Sequence, residues 1–501
     1  MEALNLLMHG FQTALTLNNL LFCLIGVTVG QFIGVLPGLG PVAGMAILIP
    51  LTYGLEPTTA IIMLSGIFYA AMYGGTITSV LINTPGESAS TITCLDGYQM
   101  ARQGRAGAAL GIAAIGSFVG GVVALVCLTF LGPPIAKFAV RFGPPEFFAI
   151  MSFGLLLIVG LMGKSIAKGM IAAVFGILLS LIGMDPATGT DRFTFGQLWL
   201  LDGVEFVVLA MGIFGISEIL VNAEKNMDIP VPPKVKGFIP KRSEWGISAK
   251  AIGRGTVIGM VLGLIPGASA SVASLMAYST EKKVSKHPEQ FGKGAIEGVA
   301  APETANNAFS GAAMIPLLTL GIPSSPTVAM LIGAFTMHGL VPGPLLYEKN
   351  PTFLWGLIAS MFIGNVVLLI MNLPMANMWA KVARIPYKLL GPLIILICMV
   401  GVYSVNRMIP EIALLTLFGA VGYFMKKLEI PGAAVILAFI LGNNLEYTLI
   451  QTLSMSDKGL LYLFQRPISG VMMGLCVLIL IGSIASSVMK KRDKLATDQE
   501  V

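Results

Sequence analysis

The sequence predicts an all-α polytopic membrane protein of about 12 transmembrane helices plus re-entrant or broken helices. These helices are arranged as two inverted-topology repeats that build scaffold and transport domains. Three observations predict this class. Of 501 residues, 55% are hydrophobic and only 11% are charged, with a mean hydropathy of +0.84, far from the roughly 25% charge of soluble domains. Apolar runs at residues 112–131, 167–182, 354–371, 430–441 and 468–489 approach or exceed the roughly 20 residues that cross a bilayer. Between such runs, Pro, Gly, Ser, Thr and Asn concentrate at 34–41, 74–90 and 263–326, where a membrane helix should be uninterrupted.

In chain order, residues 1–16 read as an amphipathic helix on the membrane surface; with Glu2 and no basic start, they do not resemble a cleaved signal peptide. A first membrane repeat follows at 17–221. Its opening run ends in Pro37-Gly38-Leu39-Gly40-Pro41, which cannot continue a helix without losing backbone hydrogen bonds, so a hairpin or broken helix is expected. The run 58–73 leads into GGTITSVLINTPGESAST, backbone that the bilayer core tolerates only when buried in protein or lining a wet cavity. A span is expected over 108–130, ended by the GPP at 132–134, and Lys164 and Lys168 mark a basic turn between two further spans. Residues 185–203 are polar enough to lie outside the bilayer, and 204–221 returns to it.

The hydrophilic stretch 222–250, with six Lys or Arg and four prolines, reads as a cytoplasmic linker. The second repeat covers 251–450, a loop and span fill 451–489, and 490–501 forms a basic cytoplasmic tail. The two repeats align through their breaks. Pro37 matches Pro266 at an offset of 229, and Pro85 matches Pro323 at an offset of 238. The loop after the first break carries no basic residue in the first copy (53–59) and four lysines in the second (280–294). The loop after the second break reverses the bias, with Arg102 and Arg105 in the first copy against Lys349 balanced by Glu348 in the second. Basic loops face the cytoplasm, so equivalent loops lie on opposite sides and the repeats are inverted. Many secondary transporters are built this way, with the substrate between discontinuous helices near the midplane.

A helix restarting after a Pro-Gly break offers free N–H groups and a positive dipole end to an anion. The candidate substrate site is therefore drawn from the four breaks: Pro37, Gly38 and Gly40; Asn83, Thr84, Pro85, Gly86 and Ser88; Pro266, Gly267, Ala268, Ser269 and Ser271; and Pro323, Ser324 and Ser325. Asn306 and Asn307 join them from APETANNAFSG. Glu303 lies three residues before Asn306 and hence on the same helical face. A carboxylate at this depth is costly without a ligand, so Glu303, Asn306 and Asn83 are the candidates to hold a coupling ion, Na⁺ or H⁺. Taken singly, each break is also explained as a kink whose hydroxyl satisfies a freed carbonyl, and Glu303 as an N-terminal cap.

GVLPGLGP, INTPGESAST, GLIPGASASVAS with YSTEKK, and GVAAPETANNAFSGAAMIPLLTLGIPSSPT, in this order and across nearly the whole chain, strongly resemble the TctA family. That family is the large membrane subunit of the tripartite tricarboxylate transporters. The resemblance implies a multi-pass protein of the bacterial inner membrane. It works with a small TctB-like membrane subunit and a periplasmic TctC-like solute-binding protein, and takes up citrate or related carboxylates on a Na⁺ or H⁺ gradient. No cofactor is implied beyond Na⁺ as a coupling ion, and the absence of a GxxxxGK[ST] loop agrees with uptake without ATP. Hairpin-like motifs in both halves point to an elevator-type movement.

Other classes fit less well. The net charge of +6 sits at segment ends and reads as orientation rather than as a nucleic-acid surface. Five cysteines without CxxC spacing and three dispersed histidines outline neither a zinc site nor a nucleophilic triad. An intramembrane enzyme needs paired acids, and the close pair Asp202 and Glu205 has no catalytic motif around it. A stand-alone anion carrier or a channel would differ from the tripartite reading in having no binding-protein partner.

Overall fold

A computed structural model describes residues 2–162, 165–185, 188–224, 235–383 and 385–497. Lys164, linker residues 225–234 and tail residues 498–501 lie outside the described residues. The chain forms two compact units, residues 1–140 with 206–424 and residues 141–205 with 425–501, so each unit takes chain from both sequence halves.

The first unit opens with α1 (Glu2–Ala14), α2 (Leu17–Val35), α3 (Gly40–Leu48), α4 (Pro57–Ile82), α5 (Thr93–Arg102) and α6 (Ala106–Ala139). In the second unit, α7 (Pro144–Met162) and α8 (Ile166–Ser180) precede a two-residue ribbon, β1 (Gly183–Met184) against β2 (Asp191–Arg192). The first unit resumes with α9 (Phe206–Ala210) and α10 (Ser217–Ala223), joined through a π-helical turn, Met211–Ile216. Then come α11 (Trp245–Gly263), α12 (Ala270–Val284), α13 (Glu297–Ala312), α14 (Met314–Leu320), α15 (Pro326–Met337) and α16 (Leu346–Lys349). The unit closes with α17 (Pro351–Asn372), α18 (Ala376–Val382), α19 (Tyr387–Asn406) and α20 (Ile409–Lys427), whose last three residues are the first of the second unit's returning chain. The second unit finishes with α21 (Gly432–Ser454), α22 (Tyr462–Gln465) and α23 (Pro467–Thr497).

Among the described residues eight helices are long and apolar enough to span a membrane, or nine if the pair bent by 107° at Gln465–Pro467 forms one span. Shorter apolar helices include Gly40–Thr52, Ile166–Ser180 and Pro326–Met337. The protein is an all-α, multi-pass membrane protein. In one respect α6 departs from expectation, for it runs through Pro133 and Pro134 to Ala139. Proline φ is compatible with a helix and each ring removes one N–H, so the two weaken the ladder without ending it.

The second unit is tied by two ion pairs, one from the ribbon to the interior of α21 and one from the α22–α23 bend to the start of α7. Arg192 makes a bidentate pair with Glu446 at 2.6 and 3.1 Å, and Arg466 meets buried Glu146 at 2.6 Å.

In the first unit the core is set by two glycine ladders. Gly26, Gly30 and Gly34 of α2 rest on the carbonyls of Met63, Ile67 and Ala71 of α4 so closely that a Cβ would overlap them. Gly255, Gly259 and Gly263 of α11 do the same on Ala301, Ala305 and Phe309 of α13. Where lipid removes the hydrophobic drive for helix association, such close backbone approach is what holds spans together. Both contact series climb in the same direction along their helices, so α2 runs parallel to α4 and α11 parallel to α13. The helix between must lead the chain back, making α2–α3 and α11–α12 hairpins. Gly44 packs on Ile33 in the first, and Arg254 holds Glu281 at 2.7 Å across the second.

Candidate functional site

Each break has a defined turn. In α2–α3, Gly38 stands at φ +83°, which frees the backbone for a left-handed turn that a side chain would strain. Its counterpart Gly267, between α11 and α12, stands at φ +82°. Helix α4 ends at Asn83, φ +55°, and α14 ends at Gly321, φ +71°, both in the left-handed cap conformation. After the breaks, Ser269 and Ser325 cap α12 and α15, accepting from Val272 N at 3.3 Å and Val328 N at 3.4 Å. Each cap stabilises its helix start by about 1 kcal/mol.

The breaks meet in pairs. Gly86 lies on the carbonyl of Gly34, with no room for a Cβ, which brings the TPGES turn against the end of α2. Gly267 N donates to Ser324 O at 3.1 Å, which joins the other two breaks. Across the pairs, Ser271 Oγ donates to Ser88 Oγ at 2.9 Å. Asn222 Nδ2 donates to Gly38 O at 3.2 Å. Of the predicted residues, Pro37, Gly86, Gly267, Ala268, Pro323, Ser324 and Ser325 are buried. Gly38, Gly40, Thr84, Pro85, Pro266, Ser269 and Ser271 are half-buried, and Asn83 and Ser88 are exposed.

Glu303, Asn306 and Asn307 lie inside α13, not at its cap, and all are buried. Their partners come from α4, α5, α6 and the TPGES turn. Glu303 accepts from Thr76 Oγ1 at 2.6 Å and from Thr93 Oγ1. Asn306 Nδ2 donates to Glu87 Oε1 at 3.1 Å, while its Oδ1 is buried without a donor. Asn307 Nδ2 donates to Ser117 Oγ at 2.7 Å. Among the described residues Ser324 Oγ, also buried, has no partner either. Asn83 stays apart from this cluster: among the described residues its side chain makes no hydrogen bond, and its structural role is the left-handed cap.

The cluster adjoins two small cavities that share Tyr73 in their walls, the first of mixed polarity and the second largely apolar. One is lined by Thr76, Ser117 and Asn372, the other by Asn307, Asn365 and Gly121. Tyr73 Oη donates to Asn365 Oδ1 at 2.7 Å in the wall of the second. No group of three or more His, Cys, Asp or Glu that would hold a metal ion occurs among the described residues.

Sequence reasoning missed Glu87, Thr76, Thr93, Ser117 and Tyr73. Glu87 carried a usable signal, since it is a carboxylate within a Pro-Gly break and the cost that singled out Glu303 applies equally to it. The others are ordinary helix residues whose roles appear only once α4, α5 and α6 pack on α13.

Residues 20–437 match the family model described as Tripartite tricarboxylate transporter TctA family. An uncharacterized 52.8 kDa protein in the TAR-I ttuC' 3' region of Agrobacterium vitis is 43% identical over the full length of both chains. An uncharacterized protein in the TAR-II ttuC' 3' region of the same organism is 39% identical over 48% of this chain and all of its own. No solved structure matches. With most of its length under the family model, the chain belongs to the tripartite tricarboxylate transporter TctA family.

Proposed function

We propose that this chain is the large permease subunit of a binding-protein-dependent secondary transporter, not an enzyme. It takes up citrate or related tri- and dicarboxylates by Na⁺ or H⁺ symport across the bacterial inner membrane. Its partners are a small TctB-like membrane subunit and a TctC-like periplasmic binding protein that delivers the substrate. The observation that carries the reading is the meeting of four helix breaks in two abutting pairs, Gly86 on Gly34 and Gly267 on Ser324. They offer N–H groups and hydroxyls to an anion beside a buried cluster of acceptors.

The glycine ladders support a two-fold repeat. Gly26, Gly30 and Gly34 precede Gly255, Gly259 and Gly263 by 229 residues, and Met63, Ile67 and Ala71 precede Ala301, Ala305 and Phe309 by 238. These are the offsets that align Pro37 with Pro266 and Pro85 with Pro323. Together with the opposed loop charges, they favour inverted repeats and a cytoplasmic C-terminus. Movement is elevator-type: the broken pairs travel as one body relative to a scaffold built from the remaining spans. The substrate carboxylates bind at Ser269, Ser271, Ser324, Ser325, Ser88, Thr84 and the neighbouring N–H groups, with Asn306 and Asn307 behind them.

The test is uptake of labelled citrate, a dicarboxylate and an aromatic acid by vesicles holding all three components, with Na⁺ and pH gradients imposed separately. Uptake of a carboxylate that needs the binding protein and one gradient is expected, and loss of that uptake when Ser269, Asn306 and Ser324 are all replaced by Leu. Undiminished uptake by the triple variant would overturn the site.

A further inference from the structure

We propose that Asn222, on α10, is a positioning residue for the substrate: it holds the first break, residues 37–41, in the shape that starts α3. The proposal rests on the transport reading for the substrate it serves. The residue itself is singled out by a difference between the two repeats. The offsets that align them carry Gly38 onto Gly267 and Gly86 onto Ser324. Gly267 N donates to Ser324 O at 3.1 Å, so backbone joins the second pair of breaks. The corresponding bond, from Gly38 N to Gly86 O, does not occur among the described residues. Gly38 is held through its carbonyl instead, by Asn222 Nδ2 at 3.2 Å, from a helix that belongs to neither break.

The contact is built to be specific. Asn222 is 2% exposed, and its Nδ2 also meets Glu218 Oε1, one helical turn earlier on the same face, at 3.2 Å. Both protons of the amide are thereby directed, and it cannot turn over without setting its oxygen against two acceptors. At Gly38 a Cβ would lie 2.8 Å from Asn222 Nδ2, and φ is +83°, so glycine is needed for room as well as for the turn. The Gly38–Leu39 peptide is then fixed at both ends, its N–H on Leu36 O at 3.3 Å and its carbonyl on Asn222. Unlike α12 and α15, α3 starts without a side-chain cap, so it is this turn that sets where its first N–H groups point.

Asn222 faces Gly38 because of the π-helical turn, Met211–Ile216, that precedes α10. Run as a plain α-helix, the same residues would rotate α10 by about 100° and carry Asn222 off the break. A π-turn is wider than an α-turn, and α20 leaves room for it. A Cβ on Gly419 would lie 2.5 Å from Ile216 Cγ2, and one on Gly422 would lie 2.8 Å from Ile213 Cα. Ser217 Oγ ties the turn further by donating to Ile213 O. Turns of this kind are rare and gather at functional sites. Here the turn aims one amide at the break.

The test combines uptake by vesicles holding all three components, as carboxylate-loaded binding protein is varied, with hydrogen exchange of the purified full-length chain read by mass spectrometry. Asn222→Leu keeps the bulk and removes the donor. Half-saturation should rise at least about five-fold while maximal uptake per folded chain stays within about two-fold, since a binding geometry is lost and not the carrier. Exchange should quicken over residues 36–44 and not over 265–272. Asn222→Gln keeps an amide donor and should recover most of the affinity. If Asn222→Leu does not fold, Gly422→Ala carries the same test, because its methyl presses on the π-turn without touching Asn222. Lower maximal uptake at unchanged half-saturation, unchanged exchange over 36–44, or equal losses in the Leu and Gln variants would overturn the proposal. Wild-type vesicles that take up no carboxylate would sink the transport reading and the substrate role with it, while the exchange would still decide whether Asn222 holds the break.

Discussion

Asp96 and Glu303 are both acidic, both almost fully buried and both in the first unit, yet their surroundings differ in kind. Asp96 Oδ1 accepts from Gly292 N, Gly294 N and Ala295 N at 2.9, 2.7 and 2.8 Å, and Oδ2 accepts from Tyr278 Oη at 2.8 Å. These partners are fixed backbone and a ring packed edge-on against Phe291 at 5.3 Å. The lysine-bearing loop after α12 is thereby pinned to α5. Glu303 instead holds two rotatable hydroxyls, near an amide oxygen that has no donor among the described residues. A carboxylate whose partners are complete and rigid is a joint; one whose partners are few and turnable is open to a ligand.

That difference can be broken or sharpened by substitution. Asp96→Ala has the largest expected effect, because the N–H groups of exposed Gly292, half-buried Gly294 and buried Ala295 and the hydroxyl of buried Tyr278 all lose their acceptor; we expect unfolding to become easier by about 3 kcal/mol, read from thermal or denaturant melts. Glu303→Gln keeps the shape and one oxygen acceptor, so stability should stay within about 1 kcal/mol while carboxylate uptake falls at least about ten-fold, or 1.4 kcal/mol. If Glu303→Gln instead melted the protein and left residual uptake normal, the two acids would have the same role. Tyr278→Phe removes one of four donors to Asp96 and should cost about 1 kcal/mol of stability without altering uptake by the folded fraction. The smallest change is Ser271→Ala, which loses a half-exposed hydroxyl contact to Ser88 and should move stability by no more than about 0.5 kcal/mol.

Much of this was legible in the sequence because its signals are local. Composition and apolar runs declare the membrane, and Pro-Gly pairs declare the breaks, since proline and glycine act on their own backbone wherever they fall. The motif order carried the family. Glu303 and Asn306 were legible because polar residues at membrane depth are costly. What stayed hidden depends on distant chain. Thr76 and Thr93 are unremarkable until α13 packs beside them, and Asp96, on a helix of mixed polarity, gives no hint that it gathers three N–H groups some two hundred residues away. Glu87 was overlooked because the glycine and serines on either side offered a complete explanation of the turn. The prolines of α6 misled for the opposite reason: they are strong local signals that a long, well-packed helix absorbs.

The most direct measurement compares Glu303→Gln and Asp96→Asn in one preparation, recording unfolding temperature and binding-protein-dependent uptake of labelled citrate, or of whichever carboxylate the wild type takes up. A crossed pattern is expected, with uptake lost and stability kept for Glu303→Gln, and stability lowered with uptake per folded molecule kept for Asp96→Asn. Uptake retained by Glu303→Gln, at wild-type rate and with wild-type ion dependence, would contradict the assignment of the site.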